Sequence, residues 1–193
     1  MRSFKPTPAT VLALLALVFA MTGTGFAAAK LVSGDSLIKK NSLSGNRLKA
    51  SSMPGARVYN TGTQSIASGV GTALTFTNAD FNVGGTWSLS APDRLTAKKA
   101  GVYVITASIS WANDPAGVRD LSLKVNGATS IMTVSSAPVP SQNTAPIENC
   151  ATTFRLRAGD YVQAIAFQTS GGALDSWNGA HETPTLSIDW IAP

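Results

Sequence analysis

The sequence predicts an all-β protein, a two-sheet antiparallel jelly-roll sandwich preceded by an N-terminal hydrophobic helix and a short repeat neck. Three observations predict it. Tyr103, Ile105, Ala107, Ile109 and Trp111 are apolar at alternate positions, and Thr106, Ser108 and Ser110 between them are polar. That period of two belongs to a strand with one buried face. The chain is rich in turn formers, with 17 Gly and 10 Pro, and from Ala56 onwards no stretch carries a helical period. Eight or more short strands in about 138 residues suit a sandwich.

The N-terminus reads as an export signal, residues 1–29. Arg2 and Lys5 precede the apolar run Val11–Met21, and Gly25-Phe26-Ala27-Ala28-Ala29 offers cleavage after Ala27 or Ala29. No charge occurs between Pro6 and Ala29. Left uncut, the segment would instead form a single-pass anchor with its N-terminus inside. Thr22-Gly23-Thr24-Gly25 weaken the apolar end and favour cleavage. Either way the remainder lies outside the cytoplasm, secreted or at the cell surface.

Residues 30–53 form a basic neck. Val32-Ser-Gly-Asp-Ser-Leu37 and Leu43-Ser-Gly-Asn-Arg-Leu48 repeat one pattern at a spacing of eleven. Two copies cannot build a core alone. They read either as turns stacked in a three-chain stalk or as a flexible spacer. The pattern resembles the Ser/Thr-Gly repeats that follow export signals in actinobacterial surface proteins.

After Pro54-Gly55 the pattern is strand and turn. Arg57–Thr61, Ala73–Thr77 and Trp87–Leu89 are short candidate strands, followed by the long strand ending at Trp111. In Asp120–Asn126, Leu121, Leu123 and Val125 alternate with Ser122 and Lys124. Asn126-Gly127 predicts a type I′ turn into Thr129–Val134. Ser135–Pro146, with three prolines, is a loop. Cys150–Arg157 turns through Ala158-Gly159-Asp160 into Tyr161–Thr169, and Thr185–Ile191 closes the chain.

Four of these stretches, in order, resemble the globular heads of the complement C1q and tumour-necrosis-factor superfamily. Leu95–Tyr103 is similar to that family's Ala-Gly-x-Tyr step into a central strand. Leu121–Gly127 resembles its Lys-x-Asn-Gly turn, Phe154–Val162 its Gly-Asp hairpin, and Leu186–Pro193 its terminal strand. The resemblance covers residues 56–193. It implies a threefold homotrimer acting as a recognition or adhesion module, without catalysis. The chain has no collagen-like Gly-X-Y stalk.

Composition narrows the function further. The net charge of +5 is concentrated before the head: residues 30–52 carry five basic side chains against one acidic. Residues 53–193 carry eight against nine, so nucleic-acid binding lacks its charge. The basic neck reads as a solvated linker, or as a contact with anionic lipid or surface polymer. One cysteine, Cys150, excludes an intrachain disulfide and reads as a buried, inert thiol. His181 is the one histidine, set in a loop sequence; no Gly-x-Ser-x-Gly elbow, zinc cluster or phosphate loop accompanies it. No cofactor is expected beyond a structural calcium, for which Asn113, Asp114 and Asp120 are the candidate ligands. The same residue types populate turns for conformational reasons. Trp87 and Trp177, beside Gly84-Gly85 and Gly171-Gly172, are the candidates for stacking a glycan ring, or else loop tryptophans folded over the sandwich end. The ligand is an unidentified extracellular glycan or protein.

Tyr161–Thr169 supplies the expected association surface. Val162, Ala164 and Ala166 form one apolar face; Tyr161, Ile165 and Phe167 form the other. A sandwich covers only one face of a strand, so the second is assigned to a neighbouring subunit. A trimer would repeat any loop site three times and raise avidity. Two further readings remain: a carbohydrate-binding module using the loop tryptophans, and a purely structural surface protein.

Overall fold

The structure, a computed structural model, describes residues 7–18, 20, 52–138, 145–178 and 184–193. Ala27, Ala29, the neck repeat and His181 lie outside the described residues. The chain divides into two compact units, Met1–Leu48 and Lys49–Pro193. Within the first, residues 8–18 form helix α1. Pro8 occupies its first turn, where a missing N–H costs nothing, and the Thr7 carbonyl accepts from Thr10 (2.9 Å) and Val11 (3.2 Å). Val11, Leu12, Leu14, Leu15, Leu17 and Val18 are all exposed. Among the described residues no helix is long and apolar enough to cross a membrane.

Among its described residues the second unit holds twelve strands: β1 (Gly55–Tyr59), β2 (Ser65–Ile66), β3 (Thr72–Ala73), β4 (Asn78–Val83), β5 (Leu95–Thr96), β6 (Gly101–Ser110), β7 (Arg119–Val125), β8 (Thr129–Ser136), β9 (Ile147–Leu156), β10 (Tyr161–Gln168), β11 (Leu174–Asp175) and β12 (Thr185–Ala192). One sheet runs β4-β1-β12-β6-β9. The other runs β3-β10-β7-β8 with β5 also on β10, and β11 pairs β2 in a small third ribbon. Every pairing is antiparallel. The fold is therefore the two-sheet antiparallel sandwich that the alternation predicts.

Strand β6 organises the first sheet, because its period of two is complete. Tyr103, Ile105 and Ile109 are wholly buried and Ala107 nearly so. Leu121 and Leu123 of β7 and Val162, Ala164 and Ala166 of β10 meet them in the core, with Leu186 and Ile188 of β12. The apolar faces read from the sequence thus pack on one another. Burying side chains of this size is worth about 2 kcal/mol each, so the core dominates the stability of the head. Cys150 belongs to it: its thiol contacts the Leu121 carbonyl at 3.2 Å, and burial pushes its pKa up to about 11. It is inert at neutral pH, as its apolar strand predicts.

Three short strands differ from expectation. Trp87–Leu89 is a turn rather than a strand. The Asn82 side chain accepts the Trp87 N–H (3.0 Å) and donates to its carbonyl (2.9 Å), replacing a ladder. Ala73–Thr77 shortens to Thr72–Ala73 because Gln64 does the same, donating to Ala73 O (2.8 Å) and accepting from Thr75 N–H (2.9 Å). Strand β4 goes unrecognised in the sequence, since Asn78, Asp80 and Asn82 hide it; an edge strand with little buried face carries little alternation.

The register defines two ends. At the base, β6 begins beside the end of β9 (Gly101 opposite Leu156), and β1 begins beside Val83. The chain arrives here: Lys99 Nζ donates to Ser52 O (3.0 Å) while lying 4.3 Å over the Trp190 ring. Asn126 (φ 53°) and Gly127 (φ 72°) make the β7–β8 turn here, both with the positive φ of a type I′ turn. At the opposite end, the tip, β6 finishes, β7 starts opposite Gln168 and Ser136, and β9 starts opposite Ser110.

Candidate functional site

The tip gathers the segments 60–64, 111–118 and 169–178, and a buried polar network fixes them. Trp111 directly follows β6, its side chain fully buried. Its indole Nε1 donates to Glu148 Oε2 at 3.0 Å, and Ser136 Oγ donates to Glu148 Oε1 at 2.8 Å. Glu148 is 4 % exposed and binds the ends of β6 and β8 to the start of β9. Burial raises its pKa above the ordinary 4.5, with Asp120 adding to the rise; the two hydrogen bonds and Arg119 oppose it.

Arg119, at the start of β7, is 0 % exposed. Its Nη1 donates to Ala116 O (2.9 Å) and Val118 O (3.1 Å), and its Nη2 to Asp114 O (3.2 Å). The guanidinium lies 5.9 Å from the Trp111 ring centroid. A buried cation therefore satisfies the carbonyls of an irregular loop and sets the loop's course. The sequence shows Arg119 only as one more charge; its role depends on the 112–118 loop curling back over it.

Trp177 is the exposed aromatic of this end, 48 % accessible. Its N–H donates to Ser110 O (2.7 Å), and Ser176 bridges to Trp111, so the indole stands on a fixed backbone. Ile147, opposite Ser110 on β9, is also exposed. This arrangement can stack a ring or a flat apolar group and offers backbone amides around it. It contains no paired acid and base, no activated nucleophile, and nothing chemically reactive among the described residues.

Solved structures with the same architecture come from widely separated animals. Eiger TNF from S. frugiperda aligns with a TM-score of 0.54 at 14% identity, covering 72% of this chain and 93% of that one. The globular domain of zebrafish complement 1qA aligns at 0.51 and 15% identity, covering 72% and 96%. Murine APRIL aligns at 0.55 and 11%, covering 72% and 99%. The head is a C1q/TNF-like jelly roll.

No family model matches the chain. An uncharacterized protein, L688, of Acanthamoeba polyphaga mimivirus is 32% identical over 120 residues, or 58% of this chain and 50% of the viral one. The chain thus spans about half the length of the curated relative it matches.

On this jelly roll the two candidate tryptophans do not share a site. Trp87 follows β4 at the base and is half-buried against the core, whereas Trp177 stands at the tip. Asn113 and Asp114 lie in the tip loop and Asp120 on β7. Asp114 Oδ1 already accepts the Ala116 N–H (2.8 Å) and sits 3.8 Å from Arg119 Nη2. Among the described residues no group of three acidic, histidine or cysteine side chains could hold a metal. The Asp114 carboxylate thus lies beside the Arg119 guanidinium, and Asp120 stands apart from the loop on β7.

Tyr161, Ile165 and Phe167 lie on the outer face of β10 in the second sheet and are half-buried. Arg94 covers Tyr161 at 4.9 Å from the ring centroid, and Ile165 packs beside Gly71. Phe167 stands opposite Asp120, whose buried Oδ1 has no hydrogen-bond partner.

Proposed function

We propose that the protein is an exported, self-associating C1q/TNF-like head that works as a recognition or adhesion module at or outside the cell surface, without catalysis. The observation that carries this reading is the outer face of the first sheet. Its centre is flat and small: Ser187, Thr106 and Ala151 lie side by side, and Thr106 and Ser187 hydroxyls bond to each other at 2.8 Å. In the same row exposed Arg57, paired with Asp80, separates Ser187 from exposed Phe81, and Ile147 is exposed further along β9. A row of small side chains flanked by exposed Phe81 and Ile147 suits close approach of a second copy. Closed threefold assembly would present three tips together.

The β10 face remains the competing surface. Sedimentation velocity of the wild type and two single variants separates them. Ala151→Arg, on an exposed side chain, should dissociate the assembly by burying an unpaired charge, at about 3 kcal/mol or more. Phe167→Lys, placed opposite Asp120, should leave it intact; the reverse outcome assigns the interface to β10. A monomer at every concentration would end the self-association reading.

A carbohydrate-binding role is the second reading, favoured by the exposed indole of Trp177 on its fixed backbone. On an array of glycans and cell-wall polymers, Trp177→Ala should abolish binding if that indole is the platform. Unchanged binding points to a protein ligand or to another surface.

A further inference from the structure

Charge is segregated along the head although the head as a whole is nearly neutral. Among the described residues, the base carries Arg94, Lys98, Lys99, Lys124, Arg155 and Arg157 against Asp93, Asp160 and Asp189. The tip carries Arg119 against Asp114, Asp120, Glu148 and Asp175, and that arginine is wholly buried. Arg57 and Asp80, between the ends, pair with each other.

The acidic groups of the base are also occupied. Asp160 accepts from Asn126 Nδ2 (2.9 Å) and the Arg157 N–H (2.7 Å), and Asp93 accepts from Gln163 Nε2 (2.5 Å). Asp189 lies half-buried under Gly55, its carboxyl raised by burial. Lys98, Lys99, Arg155 and Arg157 are exposed, so positive charge dominates what solvent meets there.

We propose that this base docks on an anionic bilayer surface, holding the head base-down with its acidic tip pointing away. The chain itself selects lipid over other polyanions. Ser52, tied to Lys99, marks where the chain leaves the base, and in sequence it continues back through five basic residues to the apolar run Val11–Met21. A cationic base of this kind, preceded in sequence by basic and apolar segments, is complementary to anionic headgroups. The acidic tip is repelled by the same surface and stays available to ligands.

Orientation can be read with fluorophores on single introduced cysteines, Ala158→Cys at the base or Ala173→Cys at the tip, because native Cys150 is buried with its thiol pushed up to about 11. The full chain is reconstituted into vesicles of phosphatidylcholine alone, or with phosphatidylglycerol, that carry a headgroup energy-transfer acceptor. The base probe should transfer strongly, and the tip probe weakly, only when phosphatidylglycerol is present. Lys98→Gln and Arg157→Gln should each lower the base-down population roughly fivefold, and raising salt to about 1 M should abolish it. Equal transfer from both probes, or transfer indifferent to phosphatidylglycerol, overturns the proposal. Loss of base transfer on adding soluble dextran sulfate, with the polymer bound instead, reassigns the patch to a polyanion and also overturns it. An Ala151→Arg chain should orient identically, so this inference stands or falls apart from self-association.

Discussion

Glu148 concentrates the chemistry of the tip in one side chain. Its two oxygens each accept one hydrogen bond, whereas an amide offers one accepting oxygen and puts a donating NH2 group in place of the other. Glu148→Gln should therefore cost about 1–3 kcal/mol in urea unfolding at neutral pH, by leaving Trp111 or Ser136 facing an NH2 group. Its pH signature has a definite sign. Burial raises the folded pKa, so the protonated form is favoured in the fold. The corresponding stability is present in full below the ordinary 4.5 and is lost as pH rises through the folded value. Asp189 acts in the same direction. Asp160 acts oppositely: its hydrogen bonds lower its pKa, and its contribution is lost as pH falls through that lowered value. In a pH series of unfolding midpoints, Glu148→Gln should flatten the decline above the carboxylate range while keeping the acid-side loss. A Trp111 indole resonance that does not shift over the same interval would show that Glu148 does not titrate there.

At the level of elements, the base depends on how β6 and β12 meet. Gly101 adopts φ +150°, and a Cβ there would fall 2.2 Å from Ala192 O and 2.3 Å from Trp190 Nε1. Trp190 needs that space, because its indole donates to Ala100 O at 3.1 Å and underlies Lys99. Gly101→Ala should destabilise the head by about 3 kcal/mol, measured by urea unfolding. It should also free the Ser52 junction to proteolysis. Loss below about 1 kcal/mol would show that β12 can shift to accommodate a methyl. The Ala-Gly-x-Tyr step was legible in the sequence, but its cause was not. The glycine serves a tryptophan 89 positions later in the chain, a proximity that no local pattern contains. The same limit made Trp87–Leu89 and Ala73–Thr77 read as strands, because Asn82 and Gln64 side chains respectively took over ladder hydrogen bonds.

For the whole molecule, self-association and orientation are separable consequences of two surfaces. The first-sheet face carries small side chains at its centre and points sideways, whereas the cationic base points along the strands. If copies assemble through the sheet, stability is inseparable from concentration. The thermal midpoint of the wild type should then rise with protein concentration, and that of Ala151→Arg should not. Three bases on one plane would multiply a weak lipid contact in the way that three tips multiply a weak ligand contact.

Alternation and turn residues determined the all-β class and the long strand β6, because burial on one face writes itself locally every second residue, and four motifs in order carried the resemblance to the C1q/TNF-like jelly roll. The buried thiol of Cys150 was legible for the same reason. Tertiary structure decided what depends on distant segments meeting. It set Trp87 and Trp177 at opposite ends, placed Asp114 beside Arg119, and turned Glu148 into the hub of the tip. It also sorted a nearly neutral set of charges into a cationic base and an acidic tip. Net charge is a sum over the sequence, whereas a surface potential depends on where the fold carries each charge.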